Sequence, residues 1–377
     1  MNRLCALRGS VPFVLAAAAA LLSLVSCPAA GVTRPRPRVE VVFCLDTTGS
    51  MGGLIEGAKA KIWSICNQIA NGKPTPQLKV GLVAYRDRGD EYVTRVTDLT
   101  DDLDAVHGQL QGFRAQGGGD TPESVNQALD DAVNKISWSK DRRTLRIIFL
   151  VGDAPPHMDY NDDVKYPLTC KKACGKGIII NAIQCGGDPE CTRVWRDVAA
   201  RAKGSFVAIP QDGGRILAVA TPWDEELTTI NAELARTTLV YGSRRQQREG
   251  ALKNAEAAGL PADGAAARVA YQCKNGWCAT YDLLDCIKQG KVKLESLKKE
   301  ELPEPLRNLS LAEQRAYLDR LEKRRAELNK RVLELDRKRA DFIARKQAED
   351  ASRNKDSFDS QVLEVLRTQA GSAGVVY

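Results

Sequence analysis

The sequence predicts a doubly wound α/β domain, with a mostly parallel sheet and helices on both faces, followed by a helical C-terminal region. Three observations predict it. Short apolar runs alternate with amphipathic helical patterns along residues 39–242, the order that builds βαβ units. Several runs are almost continuous in Val, Ile and Leu, as strands are when both faces of a sheet are covered. The segment is also of a comfortable size, about 200 residues, for one such core.

Strands are expected at 39–45, 78–85, 92–97, 145–151, 177–184 and 205–209. Helical patterns lie at 53–69, 103–113, 123–136, 164–174, 192–202 and 223–239. Residues 92–97 are short and polar and follow a turn rather than a helix. They fit an antiparallel edge strand beside 78–85.

The chemistry is concentrated in three loops. Asp46-Thr47-Thr48-Gly49-Ser50-Met51 follows the first strand and precedes the first helix. It sets one carboxylate and two hydroxyls at the C-terminal end of a buried strand, where open α/β sheets bind ligands. Gly117-Gly118-Gly119-Asp120-Thr121-Pro122-Glu123 offers the Thr121 hydroxyl after a flexible glycine run. Gly152-Asp153-Ala154-Pro155-Pro156 offers a second carboxylate after another apolar strand. Small hard oxygen donors suit Mg²⁺, which prefers octahedral oxygen coordination. Taken alone, Asp-x-Thr-x-Ser also fits an ordinary helix N-cap.

The set in this order resembles the metal-ion-dependent adhesion site of the von Willebrand factor A family, over residues 39–242. Thr48 stands where many members have Ser, and the hydroxyl is kept. The resemblance implies Mg²⁺ or Mn²⁺ held by Asp46, Thr48, Ser50, Thr121 and Asp153, with glycines 117–119 letting the Thr121 loop shift. It also implies a protein partner whose Asp or Glu completes the coordination shell.

The ends carry their own signals. Arg3 and Arg8, an Ala/Leu-rich stretch at 11–25, and Leu24-Val25-Ser26-Cys27 read as a secretory signal with a lipobox, over residues 1–27. Cys27 is then the lipidated residue, the membrane partner is a lipid anchor, and the location is the cell envelope. Ordinary cleavage after Ala29, giving a secreted protein, is the alternative. Residues 28–38 read as a stiff Arg-Pro tether. The net charge is only +7, with no basic-aromatic interleaving, so no nucleic-acid partner is expected.

Of eleven cysteines, Cys5 and Cys27 belong to the leader. An exported chain favours disulfides, and Cys185–Cys191 and Cys273–Cys278 are the candidate pairs. Zinc bound by Cys170, Cys174, Cys185 and Cys191 is the rival, although their spacing matches no common zinc pattern.

Beyond the α/β segment, 243–268 reads as a linker or loose helix and 269–309 as a small Cys-bearing helical region. Residues 310–350 read as a long charged helix and 351–377 as a polar tail with a short apolar helix near 362–366. Ser310 and Glu313 form a capping-box pair. The repeat Leu318, Leu321, Arg325, Leu328, Val332, Leu335, Arg339, Phe342, Lys346 fits a coiled-coil seam and hence a homo-oligomer. It fits equally a helix lying on residues 269–290 of its own chain.

These features point to a binding protein rather than an enzyme. His107 and His157 sit where neither suggests a base, and Asp46 has no second acid two residues on. A metal-silent scaffold acting through the C-terminal helices is the other reading.

Overall fold

The computed structural model describes residues 36–119, 121–214, 219–276, 281–349 and 357–377. The leader with Cys27, most of the tether, Asp120 and Cys278 lie outside the described residues.

Six strands form one sheet in the order β3-β2-β1-β4-β5-β6. They are β1 (Arg38–Asp46), β2 (Gln77–Tyr85), β3 (Thr94–Thr100), β4 (Thr144–Gly152), β5 (Ile178–Cys185) and β6 (Phe206–Ile209). All pairings are parallel except β2–β3, where β3 runs antiparallel along the edge. Every β4 residue is buried, as its unbroken apolar run requires. From β1 the chain moves outward to β2 and β3, then returns to the other side of β1 as β4. The switch point therefore lies between the C-terminal ends of β1 and β4, the place where this architecture leaves a crevice.

Successive side chains of β1 point to opposite faces. Val41, Phe43 and Leu45 join a core with α1 (Gly52–Ile69) and α2 (Leu103–Gly112), while Val42 and Cys44 join the opposite core. That second core holds α3 (Val125–Asn134), α4 (Tyr166–Gly175) and α5 (Pro189–Arg201). Asp102 and Asp188 cap α2 and α5, accepting from Ala105 N at 3.0 Å and Cys191 N at 2.6 Å. Such caps contribute about 1 kcal/mol each. The helix α6 (Asp224–Arg236) follows the sheet.

In the C-terminal half the structure chooses among, or extends, the sequence readings in three places. Of the two readings of residues 243–268, linker or loose helix, it is the helix that forms: they make α7 (Arg244–Ala258) and the first half of α8 (Ala262–Asn275). Helix α8 is buried from Gly264 to Gln272 and packs against α1 and α6. Its alanines, which suggested a loose segment, are small enough to let those helices approach closely. Buried Arg268 fixes the position, with both arms on the Asp104 carboxylate at 2.7 Å and a further bond to Asn231 at 2.8 Å.

The repeat on α10 (Leu311–Glu349) is not a free seam. Leu328, Val332 and Leu335 pack on α6 and α8, and Leu318 on the region of α9 (Leu283–Lys288). The basic seam positions have acidic partners in the same chain: Arg325 with Asp282 and Arg339 with Asp224, both at 2.7 Å. The expected Ser310–Glu313 capping pair is formed.

The tail is not simply polar. Helix α11 (Phe358–Ala370) buries Phe358, Val362, Val365 and Leu366 beside β1 and α1. These apolar residues recur every three or four positions, so they share one face although the segment's average is polar. Residues Arg36–Tyr377 accordingly form one compact unit rather than a domain with appendages.

Cys185 and Cys191 are free buried thiols, so the expected bridge is absent. They lie in opposite cores, on either side of the sheet. Cys170 and Cys174 are free as well, and Cys273 donates to Asn329 Oδ1 at 3.1 Å. No helix of the described residues is long and apolar enough to cross a membrane.

Candidate functional site

Asp46 closes β1 with its side chain wholly buried. Its Oδ1 accepts from Thr48 N at 2.8 Å and from Thr48 Oγ1 at 2.7 Å, while Oδ2 has no partner. The next residues make one 3₁₀ turn, Gly49–Met51, anchored by buried Met51. Thr48 Oγ1 lies 3.4 Å from Ser50 Oγ. Thr47 faces away: its hydroxyl bonds Tyr85 O at 2.9 Å and Tyr92 Oη at 2.7 Å.

The glycine loop is sewn to this turn by Gln116 N to Thr47 O and Gly49 N to Gly117 O, both at 3.1 Å. Gly117 and Gly118 have φ of +77° and +74°, which favours glycine. A Cβ at Gly117 would sit 2.2 Å from Asp90, and one at Gly118 would sit 2.9 Å from Thr48 Cβ. These glycines thus allow close packing, beyond the mobility expected from the sequence. Gly118 N also donates to Asp90 Oδ2 at 3.1 Å.

The Thr121 loop is held to the loop after β4 by Glu123 N to Pro155 O and His157 N to Glu123 O, both at 3.0 Å. Thr121 itself is exposed. Asp153 is half-buried, and its Oδ2 accepts from Gln211 Nε2 at 2.6 Å. The same Gln211 nitrogen lies 3.5 Å from Ser50 O. Hydrogen bonds therefore join Asp46, Thr48 and Ser50, Gln211 bridges Asp153 to that turn, and backbone bonds bring the Thr121 segment alongside. Thr121 makes no side-chain hydrogen bond among the described residues.

Three residues here carry no role in the sequence reading: Glu123, Asp90 and Gln211. Glu123 is 4% exposed and its Oε2 is buried without a partner. Burial pushes its carboxyl up to about 9, with the charges of Asp46, Asp87, Asp90 and Asp153 adding to the shift. Burial likewise raises Asp46 to about 7, against the lowering effect of the Thr48 hydrogen bonds. The crevice thus crowds carboxyls that resist ionising together, and two of their oxygens, Asp46 Oδ2 and Glu123 Oε2, lack a donor. Glu123 stands in the quoted glycine-loop motif, but no local signal marks it as buried. Gln211, after β6, has no sequence signal at all.

His157 is a loop residue, as expected. Its ring stacks on Tyr160 with centroids 4.0 Å apart, Nδ1 pairs with Asp159 at 2.8 Å, and Nε2 lies 3.3 Å from Asp87. Asp87 also accepts from Ser124 Oγ at 2.7 Å and Tyr160 Oη at 2.9 Å. This network holds the loops before α3 and after β4 together.

Among the described residues, no group of three or more His, Cys, Asp or Glu is arranged to hold a metal ion. A cation at this crevice must therefore rely on hydroxyl as well as carboxylate oxygen.

A family model of the von Willebrand factor A domain matches residues 40–179, the segment that carries all five candidate site residues. This segment is a von Willebrand factor A domain. Homo sapiens von Willebrand factor A domain-containing protein 7 is 33% identical over 138 residues, 37% of this chain and 14% of that protein. A putative ariadne-like RING finger protein of Acanthamoeba polyphaga mimivirus is 28% identical over 129 residues, 33% of this chain and 12% of that protein. The chain thus spans only a small part of the relatives it matches. Among solved structures, the SpRpn10 VWA domain aligns at 15% identity and TM-score 0.36, covering 46% of this chain and 89% of that one. Proximal thread matrix protein 1 of the mussel byssus, with a zinc-occupied adhesion motif, aligns at 15% identity and TM-score 0.37, covering 47% and 43%. In this von Willebrand A domain the Asp-x-Thr-x-Ser turn falls at the sheet's switch point, between Asp46 on β1 and Asp153 just after β4.

Proposed function

We propose that this von Willebrand A domain is a cation-dependent protein-binding module of the cell envelope, acting by capture and not by catalysis. The observation that carries the reading is Asp46 Oδ2, a buried carboxylate oxygen with no donor beside the Thr48 and Ser50 hydroxyls. A hard divalent cation, Mg²⁺ or Mn²⁺, answers that deficit. Asp46, Thr48, Ser50, Thr121 and Asp153 would hold it. When bound, the ion would give an incoming Asp or Glu of a protein partner an oxygen-seeking position strengthened by exclusion of water.

The chain's own residues prepare this. Thr48 orients Asp46 through two hydrogen bonds, so the free oxygen keeps one direction. Gln211 holds Asp153 at the rim. Exposed Ser50 and Thr121 face incoming ligands. Lipidation at Cys27 would tether the domain to a membrane of the envelope. The alternative of a scaffold working through a coiled coil loses its support, because the α10 apolar seam is occupied by the chain's own helices.

Calorimetric titration of the full chain with Mg²⁺ and with Mn²⁺ tests the reading. Saturable binding that disappears in Asp46→Ala is expected, followed by cation-dependent capture of a partner that chelation reverses. A millimolar Kd corresponds to only about 4 kcal/mol, so high protein concentration is needed. Absence of saturable binding, or binding unchanged in the variant, would overturn it.

A further inference from the structure

The opposite end of the sheet's central strands carries a second concave site, lined by cations where the first is lined by carboxyls. A groove of about 880 Å³ opens at the N-terminal ends of β4 and β5, between residues 136–146, the turn 174–177, and Ser372 and Ala373. It is roughly 25 Å, the length of β4, from the Asp46 crevice. Five cations line it, Lys140, Arg142, Arg143, Arg146 and Lys176, and no Asp or Glu does. Two other cavities mix signs: Lys59 with Glu56, Glu256 and Asp263 in one, and Lys61, Arg339 and Arg367 with four aspartates in the other.

The floor of the groove is Arg146, only 5% exposed. Buried guanidinium groups are ordinarily paired with a carboxylate. Arg146 donates its hydrogen bonds to three backbone carbonyls, Ser139 O at 2.6 Å, Asp141 O, and Lys176 O at 3.5 Å, and its charge reaches the buried Glu40 carboxyl only without a hydrogen bond. Glu40, its neighbour across the β1–β4 pairing, accepts from Ser139 N at 2.9 Å. The Asp141 carboxylate is taken by Arg143 at 3.0 Å, and Lys176 is occupied by Val133 O and Asn134 Oδ1, both at 2.8 Å. Lys140 and Arg142 are exposed at the mouth and make no ion pair among the described residues. Two unpaired surface cations thus stand over a buried guanidinium with N–H groups to spare, and together they suit a dianion better than a single carboxylate.

We propose that this groove binds a phosphoryl oxyanion, as a small phosphomonoester or as the phosphate of a lipid headgroup, through Lys140, Arg142 and the remaining N–H groups of Arg146. The groove is larger than inorganic phosphate and leaves room for the group that carries the phosphoryl. This assignment is independent of the cation site.

The test uses the full chain at fixed ionic strength, because screening alters surface electrostatics. One arm titrates inorganic phosphate and glycerol 3-phosphate by calorimetry. The other measures sedimentation with phosphatidylglycerol-containing vesicles against pure phosphatidylcholine. The double variant Lys140→Ala/Arg142→Ala changes only exposed side chains and leaves the Arg146 floor in place. Saturable binding in either arm, weakened about tenfold or more by the double variant, a loss of about 1.4 kcal/mol, is the expected result. The responding arm then names the source of the phosphate. Asp46→Ala must leave this binding unchanged. Absence of binding in both arms, or binding that survives the double variant, overturns the proposal.

Discussion

Arg325 grips Asp282 with both arms, Nη1 on Oδ2 at 2.7 Å and Nη2 on Oδ1 at 3.0 Å, and both side chains are buried. The same carboxylate accepts from Leu239 N at 2.8 Å and from Asp285 N at 3.2 Å, while Arg325 also donates to Thr237 Oγ1 at 3.0 Å. One ion pair therefore fastens three segments: the end of α6, the start of α9 and the middle of α10. Arg325→Met leaves Asp282 buried and uncompensated. A loss of about 3–5 kcal/mol is expected, read from urea unfolding. A loss under 1 kcal/mol, the usual size for an exposed pair, would show that the clamp is not what holds α10 down.

Asp285, beside that clamp, supplies a pH dependence. Burial raises its carboxyl to about 6, with the Asp282 charge adding and the Arg325 charge opposing. The folded state keeps this proton where the unfolded chain, with a value of about 3.9, has lost it. Its stabilising contribution is full below about pH 4 and is lost as pH rises through about 6. Asp285→Asn should therefore raise Tm at pH 8 and leave it nearly unchanged at pH 4. An equal gain at both pH values would assign the effect to packing.

Gly118 and Gly119 give a matched pair of variants. A Cβ at Gly118 meets Thr48 Cβ at 2.9 Å on a backbone with φ of +74°, whereas a Cβ at Gly119 meets nothing within 4 Å. Gly118→Ala should displace the Thr48 hydroxyl and weaken Mg²⁺ binding by about tenfold, equivalent to about 1.4 kcal/mol. Gly119→Ala should bind as the wild type does. Equal affinities for the two variants in calorimetry would contradict this account of the loop.

Asp46 should trade stability for binding. Burial raises its carboxyl to about 7, so at pH 8 its charge works against the fold, and lowering the pH through about 7 relieves that cost. In EDTA at pH 8, Asp46→Asn should melt above the wild type. With Mg²⁺ at a hundred times Kd, the wild type should gain about 2.7 kcal/mol and the variant nothing. A variant that melts lower in EDTA would mean that Asp46 is held mainly by its Thr48 hydrogen bonds.

What the sequence makes legible follows from the range of each interaction. Strands such as β4 announce themselves because nine consecutive buried residues leave an apolar run. The Asp46-Thr48-Ser50 turn is legible because the three residues are neighbours in the chain. Glu123 is in plain view as a residue, but its raised carboxyl depends on burial and on the charges of Asp46, Asp87, Asp90 and Asp153, which other loops bring alongside. The Arg325–Asp282 clamp joins residues 43 positions apart, and no local pattern distinguishes that arginine from a weak coiled-coil position. Helix α8 is hidden for a different reason. Alanine is nearly silent on any hydrophobicity pattern, yet its small size is what α1 and α6 need.

Helix α11 has a consequence for synthesis. Phe358 rests beside Phe43 with ring centroids 6.2 Å apart, Phe358 N donates to Gly213 O at 3.0 Å, and Val376 exchanges backbone bonds with Lys73 at 2.8 and 3.1 Å. The earliest strand and helix of the domain are thus completed by a segment synthesised long after them. Until α11 is made, the apolar face around Phe43 stands open, although all six strands are available. Domains ordinarily fold in the order of their synthesis, and exposed apolar surface draws aggregation and chaperones. Here closure of the first core waits for α11, so a chain truncated before Phe358 presents that open apolar face as its mark of incompleteness.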